Sequence, residues 1–358
     1  MGFFVEKTNK NDYMRIFESG YSYTCGYYSQ NCWVDDDRLV LARTLVQNEN
    51  EPIGGIELVL VDLTAKTEKI LVQKKGIQHI AHIVFKDTLY YVEDDMILCS
   101  VNVDTLERKE IYKSKEEPIG FLHITADGRY LNWFHESKDI GRISKCWRFD
   151  LKTGNAVKML EKGFLPPFNI ANHFMICPTN PDIMFFAHEG DTTYISNRLW
   201  IYEKGKEPYN LAKQRLDDNG NLIDCFGHES WAHDGKGLYF VKYGCSPEPP
   251  CGIGYVDLKT RSVEILYTKN NYWHVCAAPN GKYLAADVIP NSVNEDGTEN
   301  SCVCLINMEK NTEEVLANVK SHSHHPGHPH PQFNPSGTRI CFHDAVAKDI
   351  ISVGIIDI

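Results

Sequence analysis

The chain has 358 residues, 42% hydrophobic and 24% charged, which is enough apolar mass for a large core. Its formal net charge of -11, with no continuous basic stretch to offset it, excludes general nucleic-acid binding. No run approaches the roughly 18 apolar residues of a membrane helix, so no membrane partner is expected. The N-terminal MGFFVEKTNKNDYMRIF has neither the apolar run nor the cleavage-like site of a signal peptide. The twelve cysteines lack a framework spacing. Together these predict a cytoplasmic protein with reduced thiols.

Helical periodicity is missing, and short apolar runs alternate with turns of Asp, Asn, Gly and Pro, the all-β pattern. Two turn types recur in chain order. An Asp-Gly-like turn follows an aromatic or apolar run in VDDDRLVLA (34–42), TADGRYLNW (125–133), TNPDIMFFA (179–187), AHDGKGLYF (232–240), APNGKYLAA (278–286) and NPSGTRICF (334–342). An Asp-Leu-x-Thr-like turn alternates with them, as in VDLTAKTEKIL (61–71) and VDLKTRSVEIL (256–266). The pair repeats about every 45 residues, the size of a four-stranded propeller blade. The units fall at 33–73, 79–114, 119–160, 168–212, 224–267 and 273–319, with a seventh from 328 that has three evident strands. The segment near Tyr13–Tyr28 is expected to supply the missing strand and close the ring, leaving no open edge. The sequence therefore predicts an all-β, seven-bladed β-propeller forming a single domain over 1–358.

The run His322 to His330, SHSHHPGHPHP in context, holds five of the fifteen histidines. Imidazole is a common metal ligand and titrates near neutrality, so the run predicts a metal site, a proton-transfer site, or both. On an extended strand His328 and His330 project from one face, about 7 Å apart, while Pro329 and Pro331 stiffen the segment. His325 is placed to fold back as a further ligand, and His322, His324 and His343 are read as bystanders. The repeat adds a register test. His228, His274 and His330 each lie six residues before the Asp234, Asn280 or Ser336 of their turns, and Gln30 lies six before Asp36. In a propeller that register starts the innermost strand at one mouth of the channel. Glu229, next to His228, is expected on the opposite strand face.

GHESWAHDG (227–235), WHVCAAPNG (273–281) and HPHPQFNPSG (328–337) resemble landmark segments of the oligogalacturonate lyases. So do FFAHEG (185–190), NRLW (197–200) and SQNCWVDDDRLVLA (29–42), in order along nearly the whole chain. The resemblance implies a cytoplasmic seven-bladed propeller that cleaves short oligogalacturonides by β-elimination with a bound divalent metal, typically Mn2+. Residue by residue it implies His274, His328 and His330 as metal ligands, His228 as the base and Arg198 as the arginine of the site. The family's fourth ligand is a glutamine, and His325 stands in its place. Four imidazoles suit Zn2+ or Ni2+ better than manganese. His188, Gln30 and Trp231 are secondary candidates for substrate contact, and the expected partner is an oligogalacturonide or related uronide. The alternatives are another uronate-containing oligosaccharide as substrate, or a non-catalytic binding module. The oligomeric state is not readable from the sequence.

Overall fold

The computed structural model describes residues 2–6, 12–27, 30–45, 55–74, 81–115, 117–136, 142–322, 324–347 and 350–358. The expected start of the second unit at 79, Ser29 of the SQNCW segment and Tyr28 of the closing segment lie outside them. Among the described residues the strands form seven antiparallel sheets, six of four strands and one of five. The fold is an all-β, seven-bladed β-propeller. No helix among these residues is long and apolar enough to cross a membrane, and no cysteine pair forms a disulfide.

Each sheet repeats one design. In the first, Arg38–Leu45 and Ile56–Asp62 run through the core, whereas the outermost Thr67–Lys74 exposes Thr67, Lys69, Ile70 and Gln73 and buries only Val72. Charged, half-exposed outer strands suit a sheet edge that must not pair with another chain. The turns have matching chemistry. The Oδ1 of Asp234 accepts from the Lys236 N–H at 3.0 Å, and Gly235 supplies the left-handed backbone the turn requires at φ +68°. Asn280 and Gly281 repeat both features in the next sheet.

Backbone packing divides the chain into two compact units: Met1–Tyr91, Cys99–Glu110 and Cys276–Ile358 form one, and Val92–Leu98 and Ile111–Val275 the other. In the first, Tyr13–Phe17 pairs antiparallel with Ile350–Asp357 (Met14 opposite Ile355, Ile16 opposite Val353), and this N- to C-terminal pairing closes the ring. Ile16 packs with Tyr23, Trp33, Leu39, Val59, Val353 and Ile355 in a shared core between the closing sheet and the first sheet. In the second unit, Phe134 and Cys146 of one sheet meet Phe174, Met184 and Phe186 of the next. Neither sheet can cover its apolar face alone.

The N-terminal segment does more than the sequence predicted. Only Tyr13–Phe17 joins the closing sheet, where Gly2–Glu6 adds an unforeseen fifth strand. Tyr21–Thr24 turns away to become the innermost strand of the first sheet, so that unit begins at Tyr21 and not at 33. The inner strand was hidden because the first and second strands of this sheet are far apart in sequence.

Ile16 is fully buried at this closure. Ile16→Ala is expected to lower unfolding free energy by about 2–5 kcal/mol, read as a drop in the urea midpoint at unchanged slope.

Candidate active site

In the first unit the His-Pro-His-Pro segment runs into the strand Gln332–Phe333. Prolines cannot donate backbone hydrogen bonds, so this segment cannot be held by an ordinary ladder. One backbone bond and two side chains hold it. The His343 N–H donates to the Pro329 carbonyl at 2.8 Å. The His343 ring spans 2.9 Å from Nδ1 to the His328 carbonyl and 3.0 Å from the Cys25 N–H to Nε2. An amide N–H can only donate and a carbonyl can only accept, so Nε2 carries the lone pair and Nδ1 the proton. Burial pushes the His343 pKa down to about 4, keeping the ring in that neutral form. The buried Asp287 Oδ2 accepts the His330 N–H at 3.0 Å.

This fixes the backbone that carries the rings. His328 and His330 are buried with their rings near parallel, 24° apart and 5.6 Å between centroids, although the segment is not the extended strand expected: the strand begins only at Gln332, and His330 takes a left-handed φ of +43°. The exposed His325 brings its ring to 4.1 Å from that of His328. Ligating nitrogens of His325, His328 and His330 all lie within 4.8 Å of one another. Nitrogens on one ion at about 2.0–2.1 Å stand at most about 4.2 Å apart, so small ring rotations would bring the three onto a metal. The donor set fits a divalent ion. The Tyr27 ring stands edge-on to His325 and His330, and Gln30 supports it: its Oε1 accepts the Tyr27 N–H at 3.3 Å. Gln30 thus sits buried beneath the Tyr27 turn. His322 faces the Ala347 carbonyl through Nε2 at 2.7 Å, and His324 is exposed, as expected of bystanders. His343 is no bystander; it was indistinguishable in sequence from any other scattered histidine.

In the second unit His228 lies on Phe226–Trp231 and His274 on Tyr272–Ala277, both buried, with ring centroids 4.7 Å apart at 83°. The pairing slips one residue at His228, between Gly227 opposite Val241 and Glu229 opposite Phe240. The bulged His228 takes a left-handed φ of +34°, rare for a residue with a Cβ. His330 (φ +43°) and His173 (φ +53°) do the same. A Cβ on Gly227 would stand 2.1 Å from the Tyr243 ring, so any other residue before His228 would displace that ring. The His228 Nε2 lies 3.1 Å from the Val275 carbonyl. That carbonyl can only accept, so Nε2 carries the proton and Nδ1 is the basic nitrogen of the neutral ring.

Arg198 is buried, 3% exposed. Its Nε contacts Glu229 Oε1 and its Nη2 reaches Glu229 Oε2 at 3.4 Å. Nη1 and Nη2 bind the two Glu189 oxygens at 3.1 and 3.2 Å. His173 Nδ1 stands 3.5 Å from Glu229 and 3.8 Å from Glu189. Burial alone would raise the Glu229 pKa, but the Arg198 charge and the His173 contact overcome it and hold the carboxyl at about 2. Glu189 is also lowered: burial opposes ionisation and Arg198 outweighs it. Sequence reasoning missed Glu189, Glu229 and His173 as a group, since a flat strand was assumed where the bulge lies. His188 lies beside this group, its ring stacked 3.7 Å from Phe164 and its nitrogens 2.7 and 2.6 Å from Asn197 Oδ1 and the Phe168 carbonyl. Trp231 is 7% exposed and donates its indole N–H to the Met175 carbonyl, which makes it a core residue with no open face for a sugar.

The family model described as oligogalacturonate lyase matches residues 8–353. The chain belongs to the oligogalacturonate lyase family, whose members are carbon–oxygen lyases. It is 24% identical over 349 residues to an oligogalacturonide lyase of Pectobacterium atrosepticum, covering 88% of this chain and 85% of that one. To an oligogalacturonate lyase of Dickeya dadantii it is 25% identical over 289 residues, 72% of this chain and 71% of the other. Among solved structures, an oligogalacturonate lyase in complex with manganese superposes with a TM-score of 0.81 at 19% identity, covering 100% of this chain and 96% of its own. The family member from Vibrio parahaemolyticus gives 0.78 at 17%, covering 99% and 96%. These likenesses support the fold independently of the strand pattern.

The lowered Glu229 pKa has a signed consequence. Its stabilisation is present above the ordinary carboxyl value of 4.5 and is lost as pH falls toward about 2. Glu229→Gln is expected to cost about 3 kcal/mol at neutral pH, because Arg198 keeps its charge with one partner fewer. It should also flatten the acid limb of the stability–pH curve between pH 4.5 and 2, measured by urea unfolding at each pH.

Proposed function

We propose that this chain cleaves short oligogalacturonides by β-elimination at a metal centre held by His325, His328 and His330. The observation that carries the reading is the imidazole cluster on the pinned His328–His330 segment, in a member of this lyase family. A divalent ion held there supplies Lewis acidity to the uronate carboxylate, which makes the α-proton at C5 easier to remove. The chain's own residues do the rest. His228 accepts the C5 proton at Nδ1, the nitrogen that its contact with the Val275 carbonyl leaves basic. The C5–H electrons form the C4–C5 double bond, the C4–O4 bond breaks, and the departing O4 takes a proton from solvent. The products are a 4,5-unsaturated uronate end and a shortened saccharide. Arg198 holds a carboxylate of the substrate, since its charge is permanent and its donors form a planar fork.

One feature favours a specific variation. His325 gives the donor set one more imidazole, which suits Zn2+ or Ni2+ better than Mn2+, and a changed metal fits a change of substrate to another uronate-containing oligosaccharide.

Purified protein supplied with Mn2+ and digalacturonate should develop the ultraviolet absorbance of a conjugated unsaturated uronate. No rise with any uronide, under Mn2+, Zn2+ or Ni2+, sinks the lyase reading. His228→Ala should lower turnover by at least about 100-fold with metal content unchanged by mass spectrometry of the metal. Loss of metal in that variant makes His228 a ligand instead of the base. His330→Ala should lose the metal.

A further inference from the structure

The Arg198 cluster poses a problem for its proposed role. A guanidinium has five N–H donors, and four are already committed: Nε and one Nη2 N–H to Glu229, the other Nη2 N–H and one Nη1 N–H to Glu189. A uronate carboxylate that needs two parallel donors finds only one left. Either Arg198 does not bind substrate through a fork, or one resident carboxylate gives way.

The two carboxylates are not equivalent. The Glu229 side chain is 0% exposed and grips Arg198 at both Nε and Nη2. The Glu189 side chain is 26% exposed, against 3% for Arg198 and 14% for His173, and lies at the last position of the strand Ile183–Glu189. Of the charged groups around the guanidinium, Glu189 is the most exposed. We infer that Glu189 is a place-holder: its carboxylate occupies the Nη1/Nη2 fork of Arg198 in the empty enzyme, and an incoming uronate carboxylate displaces it into solvent.

The exchange is close to neutral in charge. One carboxylate leaves the fork and another enters, so Arg198 is never left unpaired and Glu229 keeps it in place throughout. The resident carboxylate also sets a selectivity: a neutral sugar cannot compensate the guanidinium that Glu189 would vacate, whereas a uronate can. Glu189 is thus a specificity-determining residue for carboxylated sugars, and its release is subtracted from ground-state affinity.

This rests on the reading that Arg198 receives a uronate, and the test separates the two. Steady-state turnover of digalacturonate is measured for the wild type, Glu189→Gln and Glu189→Asp, alongside calorimetric binding of galacturonate monomer to the metal-loaded proteins. Glu189→Gln removes the charge. Glu189→Asp keeps the charge but is one methylene short of the fork. Displacement predicts KM about three- to tenfold lower in both variants, kcat within about twofold, unchanged metal content, and galacturonate binding tightened by the same factor. KM unchanged or raised in Glu189→Gln overturns the place-holder. A KM lowered in Glu189→Gln but not in Glu189→Asp overturns it as well, assigning the effect to long-range charge. If no protein turns over any uronide the lyase reading fails, and the galacturonate titration then decides displacement by itself: tightening in both variants supports it, and no tightening or no binding overturns it.

Discussion

The grip of His343 and Asp287 on a segment that cannot hold itself is the constraint on which the site depends. Pro329 and Pro331 remove two backbone donors from the stretch that carries His328 and His330. Three contacts replace the missing ladder: His343 N–H to Pro329, His343 Nδ1 to the His328 carbonyl, and the His330 N–H to Asp287. The ring of His343 is in turn fixed by the Cys25 amide, just past the innermost strand of the first sheet. His343 itself lies on Arg339–Ala347, which pairs with the same C-terminal strand that Tyr13–Phe17 closes. Joining the chain ends therefore also sets the backbone that carries His328 and His330. That backbone is held before any ion arrives, so binding has only ring rotations left to order.

A second organising feature is the repeated use of left-handed backbone at histidine. His173, His228 and His330 all pay for positive φ, at or beside the innermost strands of their sheets. At His228 the extra residue breaks the two-residue alternation of the strand. The same short strand can then carry His228, with its basic Nδ1, and Glu229, which is buried against Arg198. The Arg198 cluster is a poor candidate for raw stability, because desolvating one guanidinium and a carboxylate offsets much of their attraction. Its value lies in holding a permanent positive charge in a defined orientation, with one of its two carboxylate partners open to solvent.

Much of this was legible in the sequence, and for physical reasons. Alternating turn types at blade spacing are forced by sheets that cannot bury themselves alone, so the propeller and its seven units could be counted. The shared register of His228, His274 and His330 followed from the same repeat, and the landmark segments pointed to the lyase family that the whole-chain match bears out. What stayed hidden depends on departures from regularity. The strand Tyr21–Thr24 is separated from its partner by a long connection. The bulge at His228 leaves no compositional mark beyond Gly227, whose role needs the position of Tyr243. Glu189 and Glu229 are forty residues apart in sequence and meet only through Arg198. His343 gave no signal, because its function is to hold backbone atoms of another segment. Trp231, a candidate for sugar stacking, belongs to the core.

The central claim, that the histidine cluster is a metal centre, is tested most directly by X-ray absorption spectroscopy of the protein loaded with one equivalent of Mn2+ or Zn2+. The account predicts the multiple-scattering pattern of at least three imidazoles, with nitrogen at about 2.0–2.2 Å. A spectrum fitted by oxygen ligands alone, or by a single imidazole, would contradict it.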